Sequence, residues 1–254
     1  MHEGDKLLKD IEDFYKKTKL DKVIKLTNNN APIEYVHIFH KAYPRFKTVR
    51  LPKQDFSGEY ETLLKKRGSE RNFSSKPVTL LKVSQIMKAV AITNKVNEKR
   101  SYPSAGARYP IELYIIAFNI KGLKKGVYHF NSMDFVLECL WDTDLSKRVK
   151  EIVSPFIKNP AGAIILTGVL SRTYIKYNNK GYPFALIEAG HIAQNLLLSC
   201  AKYGIGACPV GGFVNDSISE MLDLTEEELP LYSLGFGYPK HMLINKVSDK
   251  SNTP

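Results

Sequence analysis

Arg67-Gly68-Ser69-Glu70-Arg71 sets two guanidinium groups and a hydroxyl at alternate positions. On an extended backbone, residues 67, 69 and 71 share one face, and two planar donor forks around a hydroxyl suit a phosphate dianion. The same five residues also read as a solvated basic turn before a helix. Lys176-Tyr177 is a second pair with chemistry in it. An ammonium beside a phenol favours the phenolate, which makes the tyrosine a better base; two ordinary surface residues after a strand are the plain alternative. Two further segments would let a ligand approach the backbone. In Tyr102-Pro103-Ser104-Ala105-Gly106-Ala107-Arg108-Tyr109-Pro110, prolines restrain both ends while small residues keep the centre open. Tyr203–Phe213 carries Gly204, Gly206, Gly211 and Gly212 around Val210, positions where a Cβ would obstruct. Taken singly, these two segments also fit a rigid connection and a helix cap followed by a turn.

Several chemistries are excluded. No GxGxxG follows a strand, and GxxxxGK[ST], HExxH and GxSxG are absent. The six histidines are scattered without metal-ligand spacing. Cys208 has no basic neighbour in sequence and reads as a small packing residue. His191 and Gln194 lie one turn apart on a helix and stay outside the catalytic set, since a lone helical histidine usually packs or caps. The net charge of +11 is spread along the chain rather than clustered with base-stacking aromatics. It points to an anionic ligand rather than to nucleic acid. No uninterrupted apolar run approaches the roughly 20 residues of a bilayer span. The N-terminus is charged, and Cys139, Cys200 and Cys208 form no CxxC pair. A cytoplasmic protein with reduced thiols and no membrane partner is expected.

The elements that must position these groups follow from periodicity. Leu7, Leu8, Ile11, Phe14 and Tyr15 mark a helix over 6–18, followed by an irregular stretch broken by Asn28–Asn30, Pro32, Pro44 and Pro52. This predicts a helical N-terminal extension, 1–55, ahead of a main domain, 56–254. A helix starts at Thr79, with Val83, Ile86, Met87 and Val90 at helical spacing. Buried strands are predicted over Ile111–Ile120 and Ala161–Leu170, and a hairpin over Gly126–Phe130 and Phe135–Leu140. Helices are predicted over Leu145–Ile157, from about Phe184 to Lys202 with Gly204 as the stop, and near Ser217–Leu222. A last strand is expected near Tyr232–Phe236. The class is α+β, a mixed or antiparallel sheet sandwiched by helices.

In their order and spacing the segments resemble the FMN-dependent nitroreductase superfamily: a basic R-x-S-x-R start, a P-S loop and a G-x-G-x-x-P-x-x-G segment. PSAGARYPIELYI, GVYHF and KY…GYPFALIEAGHIAQNL are similar still more closely to SagB-type dehydrogenases, which oxidise azolines to azoles. The similarity covers about residues 64–240. It implies FMN held by Arg67, Gly68, Ser69 and Arg71, with Lys240 or Lys246 completing the phosphate site. Pro103, Ser104, Ala105 and Gly106 would line the flavin from the partner subunit of an interlocked homodimer. Val210, Gly211 and Gly212 would lie against the flavin, the Gly211 N–H facing N5. Lys176 and Tyr177 would be catalytic, in proton transfer. The implied substrate is a small molecule or a modified peptide, the latter with a separate cyclodehydratase as partner; a reductase using NAD(P)H on nitro compounds or quinones is the alternative. Two departures bear on the peptide substrate: Asn178-Asn179-Lys180 stands where many relatives have a glycine, and Pro183 where a basic residue is expected.

Overall fold

The computed structural model describes residues 11, 13–23, 41–94, 96, 97 and 99–240. A helical segment covers 13–18; Leu7, Leu8, Asn28–Asn30, Pro32 and Lys246 lie outside the described residues. From there the order is α1 (Glu59–Lys66), β1 (Val78–Thr79), α2 (Leu80–Met87), β2 (Ile92–Asn94), β3 (Lys99–Arg100), β4 (Ile111–Ala117), β5 (Ile120–Lys121), β6 (Gly126–Asn131) and β7 (Val136–Trp141). Then come α3 (Val149–Val153), β8 (Gly162–Val169), α4 (Ser171–Tyr177), α5 (Gly181–Lys202), β9 (Gly206–Val210), α6 (Asn215–Leu222) and β10 (Glu228–Gly237). Six strands form one sheet in the order β7-β6-β4-β8-β10-β9, every pairing antiparallel.

Alternation along the two central strands divides the core. Ile111, Leu113 and Ile115 of β4, with Ile164 and Leu166 of β8, face α2 and α5. Tyr114 and Ile116 of β4, with Ala163 and Ile165 of β8, face Phe73, α3 and α6. A strand buried on both faces needs apolar residues at every position, which is why the two runs read as continuous. Each fully buried isoleucine contributes about 1.5–3 kcal/mol. By composition Ser171–Lys202 is long and apolar enough to cross a membrane. Its Ala185, Ala189, Ile192 and Leu196 are instead packed against the sheet, as in a core helix.

The expected elements are present, with changes at their ends. The strand expected over 111–120 stops at Ala117, because the N–H groups of Phe118 and Asn119 both turn to the Ala161 carbonyl (3.0 and 2.8 Å). Ile120–Lys121 then pairs in parallel with β1. The helix expected over 145–157 is a 3₁₀ turn at Ser146–Arg148 followed by the short α3. It ends at Ser154 (φ 72), where Pro155 disfavours helical backbone in the residue before it. The long helix starts three residues early at Gly181, since Pro183 falls in the first turn, where its missing N–H costs nothing. The last strand reaches back to Glu228 through an irregularity in register between Pro230 and Tyr232.

Candidate active site

The basic segment forms the outer border of the sheet. The Arg67 N–H closes α1 on Leu63 O (3.0 Å), and the chain then leaves extended. Ser69 bridges Ala207 in parallel, and the Glu70 N–H donates to Ala207 O at 3.0 Å. Ser69 and Glu70 therefore lie beside β9, and the chain then turns, Arg71 O accepting the Lys158 N–H at 2.8 Å. Gly68, Ser69 and Glu70 line a cavity of about 210 Å³ with Gly204, Gly206, Ala207, Leu197 and Pro239. The Arg71 guanidinium lies 5.9 Å from the Phe156 ring centre. The Lys240 N–H donates to Asn72 O at 3.0 Å, which brings Lys240 beside the basic segment.

Two kinds of glycine stand out here. A Cβ on Gly206 would strike Glu70 Cγ at 2.7 Å, so the chain's own packing demands that glycine. Gly68 and Gly211 have nothing within 4 Å of such a Cβ. Their openness leaves room for a ligand close to the backbone. Ala207 and Gly211 are four strand residues apart, roughly 13 Å, so a long ligand matches the pair better than a small anion does. A phosphate-bearing flavin fits what lies here: the Ser69 segment beside the start of β9 and open glycine backbone at its end, with the Arg71 guanidinium farther out by Phe156.

The second cluster stands at the end of the sheet where β4 begins and β8 ends. Ser104 Oγ accepts the Tyr109 N–H at 2.8 Å and closes the 104–109 loop. Arg172 of α4 donates to Tyr109 O (3.1 Å) and pairs with Glu112. Arg100 stacks 4.2 Å from the centre of the Tyr109 ring and donates to Tyr102 Oη at 2.9 Å. Against this braced loop lies the Lys-Tyr pair. A Cβ on Gly106 (φ +59) would stand 2.5 Å from Tyr177 Oη and 3.0 Å from Lys176 Nζ. Lys176 Nζ is 5.4 Å from the Tyr177 ring centre, and the Phe184 ring meets that ring in a T-shaped contact, centroids 5.1 Å apart. Lys176 and Tyr177, expected after a strand, thus sit on the last turn of a helix, and the structure joins them to Gly106 of the Pro103–Gly106 loop.

The third cluster is Val210, Gly211 and Gly212, where β9 leaves the sheet toward α6. Val210 is buried, and both glycines are exposed. Gly212 is approached by the N-terminal segment, with Leu20 Cδ1 3.9 Å from the position of a Cβ. Asn215 holds that segment. Its Oδ1 accepts the Leu20 N–H (3.0 Å), its own N–H donates to Leu20 O (3.1 Å), and its Nδ2 donates to Tyr15 Oη (2.8 Å). Lys19 pairs with Asp216 at 2.6 Å. Burial pushes the Tyr15 phenol up to about 12, so it stays neutral and serves as a hydrogen-bonding strut.

Cys208 is buried on β9 with its thiol pushed up by burial, which agrees with a packing role. His191 and Gln194 are exposed on α5. All three cysteines are free thiols. Among the described residues no His, Cys, Asp and Glu cluster could hold a metal. Sequence reasoning missed the residues that brace the loop: Arg100, Arg172, and above all Glu188 on α5, which is buried with neither carboxylate oxygen hydrogen-bonded. The one signal for Glu188 was its spacing, since it falls on the helix stripe of Ala185, Ala189 and Ile192.

The profile of the Nitroreductase family matches residues 64–238. Nitroreductase MJ1384 of Methanocaldococcus jannaschii is 30% identical over 177 residues, 69% of this chain and 89% of that one. The microcin B17-processing protein McbC of Escherichia coli is 26% identical over 147 residues, 55% of this chain and 54% of McbC, so that match spans about half of the relative. Among solved structures, a chain of the E. coli microcin synthetase McbBCD complex with truncated pro-MccB17 bound shares the fold with a TM-score of 0.78 at 20% identity. The likeness covers 92% of this chain and 93% of that one, well beyond residues 64–238.

Proposed function

The chain belongs to the nitroreductase family and is a flavin-dependent oxidoreductase; from that premise we propose that it is an FMN-dependent dehydrogenase of the SagB type. Its substrate is a peptide carrying azoline rings, which it oxidises to azoles. The observation that carries the reading is the packing of Lys176 Nζ and Tyr177 Oη against Gly106, within the loop assigned to the flavin. Reduction of a nitro group or a quinone needs no such pair. The extent of the likeness to the microcin synthetase chain, which reaches past the family core, supports the same reading.

In this account Arg67, Ser69 and Arg71 hold the phosphate by charge-assisted hydrogen bonds, with Gly68 keeping the approach open and Lys240 completing the site. Val210, Gly211 and Gly212 present backbone to the ring, and Pro103, Ser104, Ala105 and Gly106 close it from the partner of an interlocked homodimer. Bound FMN supplies the two-electron acceptor for the hydride equivalent lost by the azoline. Tyr177 acts as the phenolate: its Oη takes the accompanying ring proton and becomes the phenol, and the Lys176 ammonium faces the charge that Oη carries before the transfer. Leu20, in the described N-terminal segment, walls the approach over Gly212. A cyclodehydratase that forms the azolines is the implied partner, and the cytoplasm the implied location.

A second reading, an NAD(P)H-dependent reductase of nitro compounds or quinones, is favoured by the match over 89% of nitroreductase MJ1384. Lys176→Met and Tyr177→Phe separate the two. The dehydrogenase reading expects both variants to keep FMN and quinone reduction while azoline oxidation falls at least 100-fold, within the usual range for removing a general base. Equal azoline turnover in parent and variants would overturn it.

A further inference from the structure

Glu188 is 2% exposed, and among the described residues it has the only carboxylate whose two oxygens are both buried and unpartnered. Leaving such a group unpaired is costly, and an ionised one far more so. Burial is the dominant influence and pushes this acid up to about 7, with the Ser104 hydroxyl and then the Arg100 guanidinium drawing it back. Arg100 carries an orphan of its own, a buried Nε without a partner. Tyr102, on the same loop, feels the Glu188 charge as well. The groups facing Glu188 are thus Ser104, Arg100 and Tyr102, all from the segment that carries Gly106.

The placement ties this acid to the Lys-Tyr pair. Phe184 lies one helical turn before Glu188 on α5, and its ring supports that of Tyr177. The same helix face therefore touches Tyr177 at one level and faces the Ser104 loop at the next. Ser104 closes the loop on the Tyr109 N–H, and two residues past Ser104 the loop receives Tyr177 Oη and Lys176 Nζ at Gly106. A neutral carboxyl has an O–H to donate to Ser104 and an oxygen to offer Arg100. An ionised one would compete for the Arg100 guanidinium, which donates to Tyr102 Oη and stacks on the Tyr109 ring.

We propose that Glu188 is a positioning residue: through Ser104 its neutral carboxyl sets the loop that receives Lys176 and Tyr177, and its ionisation loosens that loop. The catalytic consequence rests on the dehydrogenase reading above; the structural one does not.

The test uses the FMN-loaded full chain with two readouts. The first is the pH profile of azoline oxidation. The parent should show a falling limb in kcat as pH rises through neutrality, with KM for the peptide changing less. Glu188→Gln, which keeps the shape and cannot ionise, should lose that limb. Glu188→Ala should lower kcat tenfold or more on both sides of neutrality while FMN still binds. A falling limb unchanged in Glu188→Gln would overturn the proposal. The second readout needs no substrate: hydrogen-exchange protection of the Tyr109 amide, which bonds to Ser104. Protection should fall across neutrality in the parent and stay level in Glu188→Gln. The same fall in both proteins would overturn the proposal whatever the enzyme oxidises. A parent without azoline oxidation but with the exchange pattern would sink the proposed function and leave the role of Glu188 standing.

Discussion

Gly106→Ala offers the sharpest perturbation, because its consequences separate into backbone and contact. Gly106 has φ +59 and ψ 24, a left-handed conformation that costs an L-residue about 1–2 kcal/mol. The new methyl would also stand 2.5 Å from Tyr177 Oη and 3.0 Å from Lys176 Nζ. Ordinary contact begins near 3.5 Å, so Tyr177 Oη must retreat by about 1 Å. Both struck atoms are the far ends of flexible side chains, so they move and the backbone stays. A displacement of 1 Å in a catalytic group can cost on the order of 100-fold in rate. Gly204→Ala is the matched control: φ there is +70, and nothing lies within 4 Å of the added methyl. Both variants should lose a few degrees of Tm. Only Gly106→Ala should lose about 100-fold in kcat for azoline oxidation, measured by azole absorbance, with quinone reduction and FMN content kept. Equal kcat in the two variants, or a parallel loss of quinone reduction in Gly106→Ala, would rule out a catalytic contact between Gly106 and the Lys-Tyr pair.

Other outcomes follow from single contacts. Asn215→Ala strips partners from the Leu20 N–H and from Tyr15 Oη; a loss of about 1–3 kcal/mol should appear in denaturant unfolding, with faster proteolysis within residues 13–23. Arg71→Ala should weaken FMN binding by about 10- to 100-fold, one charge-assisted contact's worth, as read by fluorescence titration. Contacts with Glu112 and then Glu138 raise the His129 imidazole above its ordinary value. That stabilisation is complete below the unfolded value near 6.5 and is lost as pH rises through the higher folded one, so His129→Gln should flatten the Tm–pH curve just above neutrality. For Glu188 the raised carboxyl likewise gives stability that is complete below the unfolded value near 4.5 and fades as pH rises to about 7. Glu188→Gln should therefore gain on the parent above neutrality, by up to roughly 3 kcal/mol.

The sheet was legible because β4 and β8 are buried on both faces and carry apolar residues at nearly every position, a pattern local in sequence. The β6–β7 hairpin was legible for a similar reason, its strands flanking Asn131–Asp134, where Asn131 Oδ1 takes the N–H groups of Met133 and Asp134. Short elements escaped. The seven residues of α4 have no side-chain cap and end at Asn178 with φ +49, so neither a start nor a stop signal marks them. Pro230 hid the first half of β10. Within the site, the phosphate-type segment and the two glycine-rich segments were visible as compositions. The contact of Tyr177 with Gly106 was not, because it joins residues about 70 apart through the packing of α4 on the 104–109 loop. Glu188 was invisible for another reason: in sequence a glutamate on a helix reads as a solvated residue, and only the fold shows it sealed beneath Ser104.

Direct reduction of a bound flavin by an azoline is read from the visible spectrum of the FMN-loaded protein mixed anaerobically with an azoline-containing peptide. The oxidised flavin bands should bleach without NAD(P)H as the azole appears, one azole per flavin. A protein that takes up no FMN, or whose flavin bleaches with NADPH and stays oxidised with the peptide, would contradict direct reduction by the azoline.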